Sequence, residues 1–435
     1  MHVFFSGIGG AGIGPLALLA YKAGFTVSGS DKQDSSYIAY LKDHGIQNVH
    51  IGQTEQTIAS VHAGSPIDWY VYSSALEKEN PDHPELTFVH AQSIRASKRD
   101  EFINFVIQEK HLALLAVAGT HGKTTTTAML IWLFKQLGTP LSYSVGAKMN
   151  FGDMGDYKQD SSYFAYECDE YDKNFLQFYP KIALISGIDY DHPDTYPTRE
   201  LYDDAFRQFL AQSMHTILWK SDADKLGIEA SAATHILEEN DPRLEKLHIA
   251  GLVNRRNALL AAELAAYEFG VPVDEALQHL NLFPGVSRRF EVLTAGLVTD
   301  YAHTPKKIEG ALQLAHEVAG DNVVVVYEGL HNTRQHFIHE ELVHLFDSVK
   351  KLYVVPSFLA REDESLKLLA PQDIINSTSN PEIGVASLLD ENLKTAIQAE
   401  ISAGNLVLAL SAGGGGSLDE WLRKEFPAQD QPNSL

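Results

Sequence analysis

An apolar run, LALLAVAG, leads into Gly119-Thr-His-Gly-Lys-Thr-Thr-Thr-Thr127, and a helix-forming stretch, TAMLIWLFKQLG, follows at once. A strand, a glycine-bearing turn and a helix in that order leave few alternatives. The chain must fold here as an α/β unit with the turn at the carboxyl end of the strand. Small residues let backbone N–H groups approach an anion, and Lys123 supplies the compact charge that neutralises β- and γ-phosphate oxygens. Thr124 and Thr125 add hydroxyls suited to Mg²⁺. The spacing departs from the usual phosphate loop, because Val117 stands where its first glycine is expected. A glycine turn with a solvated lysine is the bland alternative, and it accounts for neither flanking element.

The same alternation of strand and helix signals recurs along the chain, which predicts parallel α/β sheets in three domains. The first block, 1–107, opens with a strand at His2–Ser6, a helix-like PLALLAYKAG and the strands FTVSGSD and DWYVYSS. The second, 108–293, holds the loop, the strands YFAYECDE and KIALISGIDYD, and the helix-like RRNALLAAELAAYEFG. The third, 294–435, opens near Gly296–Tyr301 and continues through KKIEGALQLAHEVAG, NVVVVYEG, KLYVVP and NLVLALSAGGGG. The first and third read as Rossmann-like, the second as a phosphate-loop sheet.

Composition narrows the functional classes. The 435 residues carry 34 Lys and Arg against 57 Asp and Glu, a formal charge of −23. A general binder of nucleic acid or of a lipid surface would be basic, so neither is expected as a partner. No stretch approaches the roughly 20 apolar residues of a membrane span. The opening MHVFFSGIGG lacks a basic leader, and the one cysteine, Cys168, forms no intrachain disulfide. A cytoplasmic protein, monomer or homodimer, is expected.

Three further constellations carry chemistry. Gly7-Ile-Gly9-Gly10-Ala-Gly12 follows the first strand, and Asp31 ends the next. Alone this pattern reads as a dinucleotide turn, the second candidate nucleotide loop in the chain. Glu167-Cys-Asp169-Glu170-Tyr-Asp172 packs carboxylates beside apolar sequence, where they are costly unless solvated, paired or bound to a hard cation. Asp191-His192 closes a neighbouring strand, so polar residues recur at the strand ends of one sheet.

These motifs, in this order over nearly the whole chain, resemble the Mur ligase family, which adds amino acids to UDP-N-acetylmuramate. The resemblance implies an N-terminal UDP-sugar domain, a central ATPase domain and a C-terminal amino-acid domain. It assigns ATP contacts to Gly119, Thr120, His121, Gly122, Lys123, Thr124 and Thr125, then to Asn257, Arg289 and Asp300. It gives Mg²⁺ to Thr124, Glu167 and His192, with Lys123, Glu167 and His192 as the catalytic set. The UDP-sugar falls to Gly7, Gly9, Gly10, Gly12, Asp31, Ser73 and Ser74. Arg256 replaces a family histidine, and Leu260 stands where an asparagine is expected.

The third domain departs furthest from the family. The alanine-adding branch has H-R-Y-T-R where this chain has Leu330-His331-Asn332-Thr333-Arg334. Glu328, Asn332 and Thr333 match the branch that attaches a recycled murein tripeptide. His331 and Arg334 are the candidates for the acceptor's carboxylate, since guanidinium pairs with carboxylate in bidentate geometry. The implied activity is an ATP-dependent ligase that joins L-alanine to UDP-N-acetylmuramate through an acyl phosphate. A tripeptide ligase, and a non-catalytic UDP-sugar or nucleotide sensor on the same scaffold, are the alternatives.

Overall fold

The computed structural model describes residues 1–73, 76, 80, 82–192, 195–359, 362–363 and 365–427. Its three sheets follow the expected α/β alternation. The first has the order β3-β2-β1-β4-β5, built from β1 (His2–Ser6), β2 (Thr26–Asp31), β3 (Val49–Ile51), β4 (Trp69–Tyr72) and β5 (Arg95–Lys98). Every pairing in it is parallel. Both faces are covered, so β1 and β4 are buried at every residue and read as continuous apolar runs. The chain reverses between β1 and β4, which puts the Gly7–Gly12 turn at the switch point of the sheet.

The second sheet runs β12-β11-β10-β6-β9-β7-β8. Its strands are β6 (Ala113–Ala118), β7 (Ser142–Ser144), β8 (Gly155–Asp156), β9 (Tyr163–Glu167), β10 (Ile182–Ile185), β11 (His215–Trp219) and β12 (Thr234–Leu237). Strand β6 lies between β10 and β9, so the three loops leaving their carboxyl ends meet. Between β12 and the helix Leu252–Phe269 there is only a short 3₁₀ turn, Pro242–Lys246.

These two sheets form one compact unit, 1–248 with 255–284. A single apolar cluster runs through both, from Phe5, Trp69 and Phe102 to Phe164, Phe175 and Phe206. Helix Gly14–Lys22 lies against β8 so closely that a Cβ on Gly155 would collide with the carbonyl of Pro15. Lys22 pairs with Asp153 and, at 2.9 Å, with Asp156.

The other unit, 249–254 with 285–435, holds the third sheet, order β13-β14-β18-β15-β16-β17. The strands are β13 (Glu291–Thr294), β14 (Leu297–Asp300), β15 (Val323–Leu330), β16 (Lys351–Phe358), β17 (Gly384–Ala386) and β18 (Leu406–Leu410). Helices cover both faces, and side chains alternate between them with the period of a strand. Val323, Val325 and Tyr327 join one core with Ile308 and Ile338, while Val324 and Val326 join another with Leu393 and Leu418. Among the described residues no helix is long and apolar enough to cross a membrane.

Candidate active site

The loop after β6 is held from below by its neighbour β10. The Thr120 N–H donates to Gly187 O at 2.7 Å, and the Thr120 hydroxyl bonds Asp189 O at 2.6 Å and Tyr202 at 2.7 Å. Ser186 donates to Ala118 O at 3.2 Å and to His121 O. Thr120 is thus a buried strut for the loop. His121 Nε2 lies 3.3 Å from Asp189, and that contact is the main reason the carboxyl sits below its ordinary range. Gly122 turns the chain into the helix Lys123–Gln136 with φ +77°, and an added Cβ there would stand 2.7 Å from Asn257 Oδ1. No side chain caps this helix, and a helix N-terminus favours an anion.

Lys123 turns its ammonium back across the loop to Gly119 O at 2.6 Å and Glu170 Oε2 at 2.6 Å, with Asp169 at 3.9 Å. Burial alone would lower its pKa; Glu170 and Asp169 outweigh that and raise it. One residue on, Thr124 donates to Glu167 Oε2 at 2.8 Å, while the other oxygen of Glu167 accepts the Gly146 N–H at 2.8 Å. Thr125 is buried in the first turn of the same helix. The acidic run therefore divides its labour: Glu167 faces the threonine, Glu170 the lysine.

His192 sits after β10 with φ +58°. Its Nε2 has Glu170 at 3.8 Å and Asp191 at 3.9 Å as its nearest carboxylates, and its ring meets the Tyr171 ring edge-on. So Lys123, Glu170 and His192 converge, while Thr124 and Glu167 form a separate pair beside them. Asp169 would be raised by burial, but Lys123, Arg99 and His192 together hold it below the usual carboxylate range. From the helix Leu252–Phe269, the buried amide of Asn257 presses on Gly122, and its Oδ1 has no hydrogen-bond partner. Arg256 lies over the Trp219 ring, 5.3 Å from its centroid, and Leu260 is fully buried.

The Gly7–Gly12 turn is engaged largely with itself. Asp31 accepts the Gly9 N–H at 2.8 Å, so the acid at the end of β2 braces its own turn. Ser73 follows β4, and Ser74 lies outside the described residues. Two residues that sequence reasoning passed over join this turn to the acidic run. Lys98 pairs with Asp172 at 2.8 Å, and Arg99 reaches Asp169 at 3.2 Å. The one signal for them was a dibasic pair at a strand–helix junction, and its acidic partners lie about seventy residues away.

In the other unit, Asp300 at the end of β14 accepts the N–H groups of Phe290 and Ala302, each at 2.8 Å. Burial raises its pKa against the pull of Arg289 and of those two bonds. Arg289 lies over the Tyr301 ring at 5.0 Å. His331 takes φ +59° just before the helix Asn332–Leu342 and has Glu362 at 3.7 Å. Glu362 also accepts the Thr333 N–H at 2.9 Å. Arg334 is half-buried on the first turn of that helix, near enough to His303 to help lower its pKa after burial and Lys307. Glu328 accepts from Ser411 at 2.6 Å and from the Leu418 N–H at 2.9 Å, and Asn332 accepts the Leu369 N–H at 2.9 Å. Both hold the fold together.

Comparison with known proteins accounts for all three parts of the chain. The family models described as Mur ligase family, catalytic domain; Mur ligase middle domain; and Mur ligase, glutamate ligase domain match residues 2–111, 117–240 and 288–413. The UDP-N-acetylmuramate–L-alanine ligase of Renibacterium salmoninarum is 32% identical over 399 residues, 83% of each chain. The solved UDP-N-acetylmuramate–alanine ligase of Thermotoga maritima matches with a TM-score of 0.77 at 22% identity, over 98% of each chain. The murein peptide ligase of Psychrobacter arcticus matches with a TM-score of 0.66 at 22% identity, over the full length of both. At that identity the two structures speak to the fold alone.

Proposed function

The chain belongs to the Mur ligase family, and from that premise we propose that it joins L-alanine to the carboxylate of UDP-N-acetylmuramate with ATP. The observation that carries the reading is the phosphate cradle at 119–127, where Lys123 and Thr124 each engage a different carboxylate of the acidic run.

A carboxylate is a poor acyl donor, so it must first be activated. Its oxygen attacks the γ-phosphorus of ATP, the bond to the bridging oxygen breaks, and ADP leaves an acyl phosphate behind. The uncapped start of the Lys123–Gln136 helix donates N–H groups to the phosphates, and Lys123 offsets charge on the transferring group. The amine of L-alanine then attacks the acyl carbon. The tetrahedral intermediate expels phosphate, which carries away the amine's proton. His192, beside Glu170, helps organise this intermediate, and Arg334 with His331 holds the amino acid's carboxylate. Asn257, Arg289 and Asp300 are the proposed contacts of the adenosine.

Mg²⁺ fits the Thr124–Glu167 pair. Both offer hard oxygens in mutual contact, and Mg²⁺ takes one or two protein ligands and completes its shell with phosphates and water. Accordingly, no group of three or more His, Cys, Asp or Glu suited to a metal is needed, and none occurs among the described residues. Bound there, the ion would supply further charge neutralisation, with His192 a third candidate ligand beside Glu170. A cytoplasmic monomer or homodimer, divided at 107/108 and 293/294, completes the proposal.

Glu328 and Asn332, which match the tripeptide-adding pattern, are engaged within the fold, so that match says little about the substrate. The test is phosphate release from ATP and Mg²⁺ with UDP-N-acetylmuramate, comparing L-alanine, glycine, L-serine and murein tripeptide. Release with L-alanine and an amide product of the right mass upholds the proposal. Release with tripeptide alone makes the enzyme a recycling ligase, and binding of the UDP-sugar without turnover makes it a sensor.

A further inference from the structure

The Gly7–Gly12 turn has fewer free donors than its glycines suggest. The N–H groups of Gly7 and Ile8 bond Ser30 O at 2.8 and 3.0 Å, that of Gly9 bonds Asp31 at 2.8 Å, and that of Gly10 bonds Gly7 O at 3.0 Å. Ile13 and Gly14 both donate to Gly10 O. The N–H groups of Ala11 and Gly12 remain, with no partner among the described residues. An anion at this turn therefore has one corner to bind, at Ala11–Gly12.

A guanidinium stands at that corner. Arg99 opens the helix Arg99–Glu109 directly after β5, with its side chain 20% exposed. Nε lies 3.4 Å from Asp100 Oδ2, and Asp100 is fully buried and fixed by Tyr166 at 3.0 Å. Nη2 lies 3.2 Å from Asp169. Nη1 has no hydrogen bond to any described residue and faces Gly12, where an added Cβ would stand 2.7 Å from it. Asp169 in turn stands 3.9 Å from the Lys123 ammonium.

We infer that Arg99 is a further substrate-binding and positioning residue: Nη1, with the Ala11 and Gly12 N–H groups, takes a phosphate of the sugar nucleotide, and Nη2 couples that corner to Lys123 through Asp169. The inference rests on reading the Gly7–Gly12 turn as the UDP-sugar site. It makes the two nucleotide sites partners in one charge chain, so that filling one changes the affinity of the other by the same factor in both directions.

Calorimetric titration with UDP-N-acetylmuramate, with and without a non-hydrolysable ATP analogue, tests it on Arg99→Ala, Arg99→Lys and Gly12→Ala. Loss of the charge-assisted contact should weaken UDP-sugar binding about 10- to 100-fold in Arg99→Ala. The mutual effect of the two ligands should vanish with it, while the KM for the amino acid stays within about twofold. Arg99→Lys should fall between, because one ammonium cannot serve both the turn and Asp169. Gly12→Ala puts a methyl where Nη1 now lies and leaves Asp100 and Asp169 in place, so it should weaken the sugar nucleotide by displacing Nη1 from the corner, which decides the matter if Arg99→Ala does not fold. Wild-type affinity and coupling in Arg99→Lys and Gly12→Ala would overturn the role of Arg99. If the wild type does not bind UDP-N-acetylmuramate, the functional reading falls, and the inference with it.

Discussion

Lys123 and Glu170 hold each other at 2.6 Å where Glu170 keeps only 1% of its side chain exposed. The lysine of the phosphate loop thus has a resident anion. Breaking a buried pair from one side strands the other charge, which costs about 3–5 kcal/mol. Lys123→Ala should therefore lose both stability, by that order, and turnover, by about 10²- to 10³-fold. Adding Glu170→Gln should restore most of the stability and none of the turnover. Urea melts and phosphate release on the three proteins check this; activity that returned along with stability would reduce Lys123 to a structural partner.

Gly122 should tolerate no side chain. A left-handed φ costs an L-residue about 1–2 kcal/mol, and the new methyl would collide with the amide of Asn257. Gly122→Ala should lower the melting temperature and raise the KM for ATP. Adding Asn257→Ala removes the collision but not the backbone strain, so the double variant should recover only part of the lost stability.

The N-terminal sheet buries Glu85 completely, with Ser6 at 2.6 Å and Tyr70 at 3.0 Å donating to one oxygen. Burial raises its pKa above the ordinary glutamate value of about 4.3, against the pull of those hydroxyls. Between the ordinary and the raised value the folded state holds more proton than the unfolded, so stability falls as pH rises, and above both the penalty is constant. Glu85→Gln escapes that penalty and still accepts both bonds. Its melting temperature should exceed the wild type's at pH 7 by more than at pH 4, as thermal melts across that range would show; a constant difference would mean that Glu85 ionises without cost.

Arg334 is assigned the acceptor's carboxylate, a charge-assisted contact. Its loss in Arg334→Ala should raise the KM for L-alanine about 10- to 100-fold and leave that for ATP within about twofold. Equal rises in both, measured by initial rates, would place Arg334 at the nucleotide instead.

Much of the fold was legible because the strands of doubly covered parallel sheets are long apolar runs next to glycine, as β6 before Gly119 and the valine run of β15 ahead of Gly329 illustrate. The loop at 119–127 announced itself by composition, and it lies between strand and helix as read. What the sequence did not disclose is which neighbour each polar residue meets. Glu167 and Glu170 lie three residues apart in one acidic run, yet one faces Thr124 and the other Lys123, because Glu167 ends β9 while Glu170 opens the 3₁₀ turn that follows it. Asp31, read from the sequence as part of a UDP-sugar site, reaches back to Gly9, a contact that the sequence did not disclose. Lys98 and Arg99 were not singled out in the sequence, and only the packing of one sheet's edge against the other's acidic run gives them partners.

The apolar cluster shared by the first two sheets bears on how such a chain can be cut and recombined. A gene fragment ending at residue 107 would cut through that shared cluster, and so would one beginning at 108. A cut there parts residues that pack in one core, so the N-terminal sheet is not a cassette to be grafted onto another protein. Descendants of this chain inherit both parts together, and divergence in one must be answered by compensating change in the other.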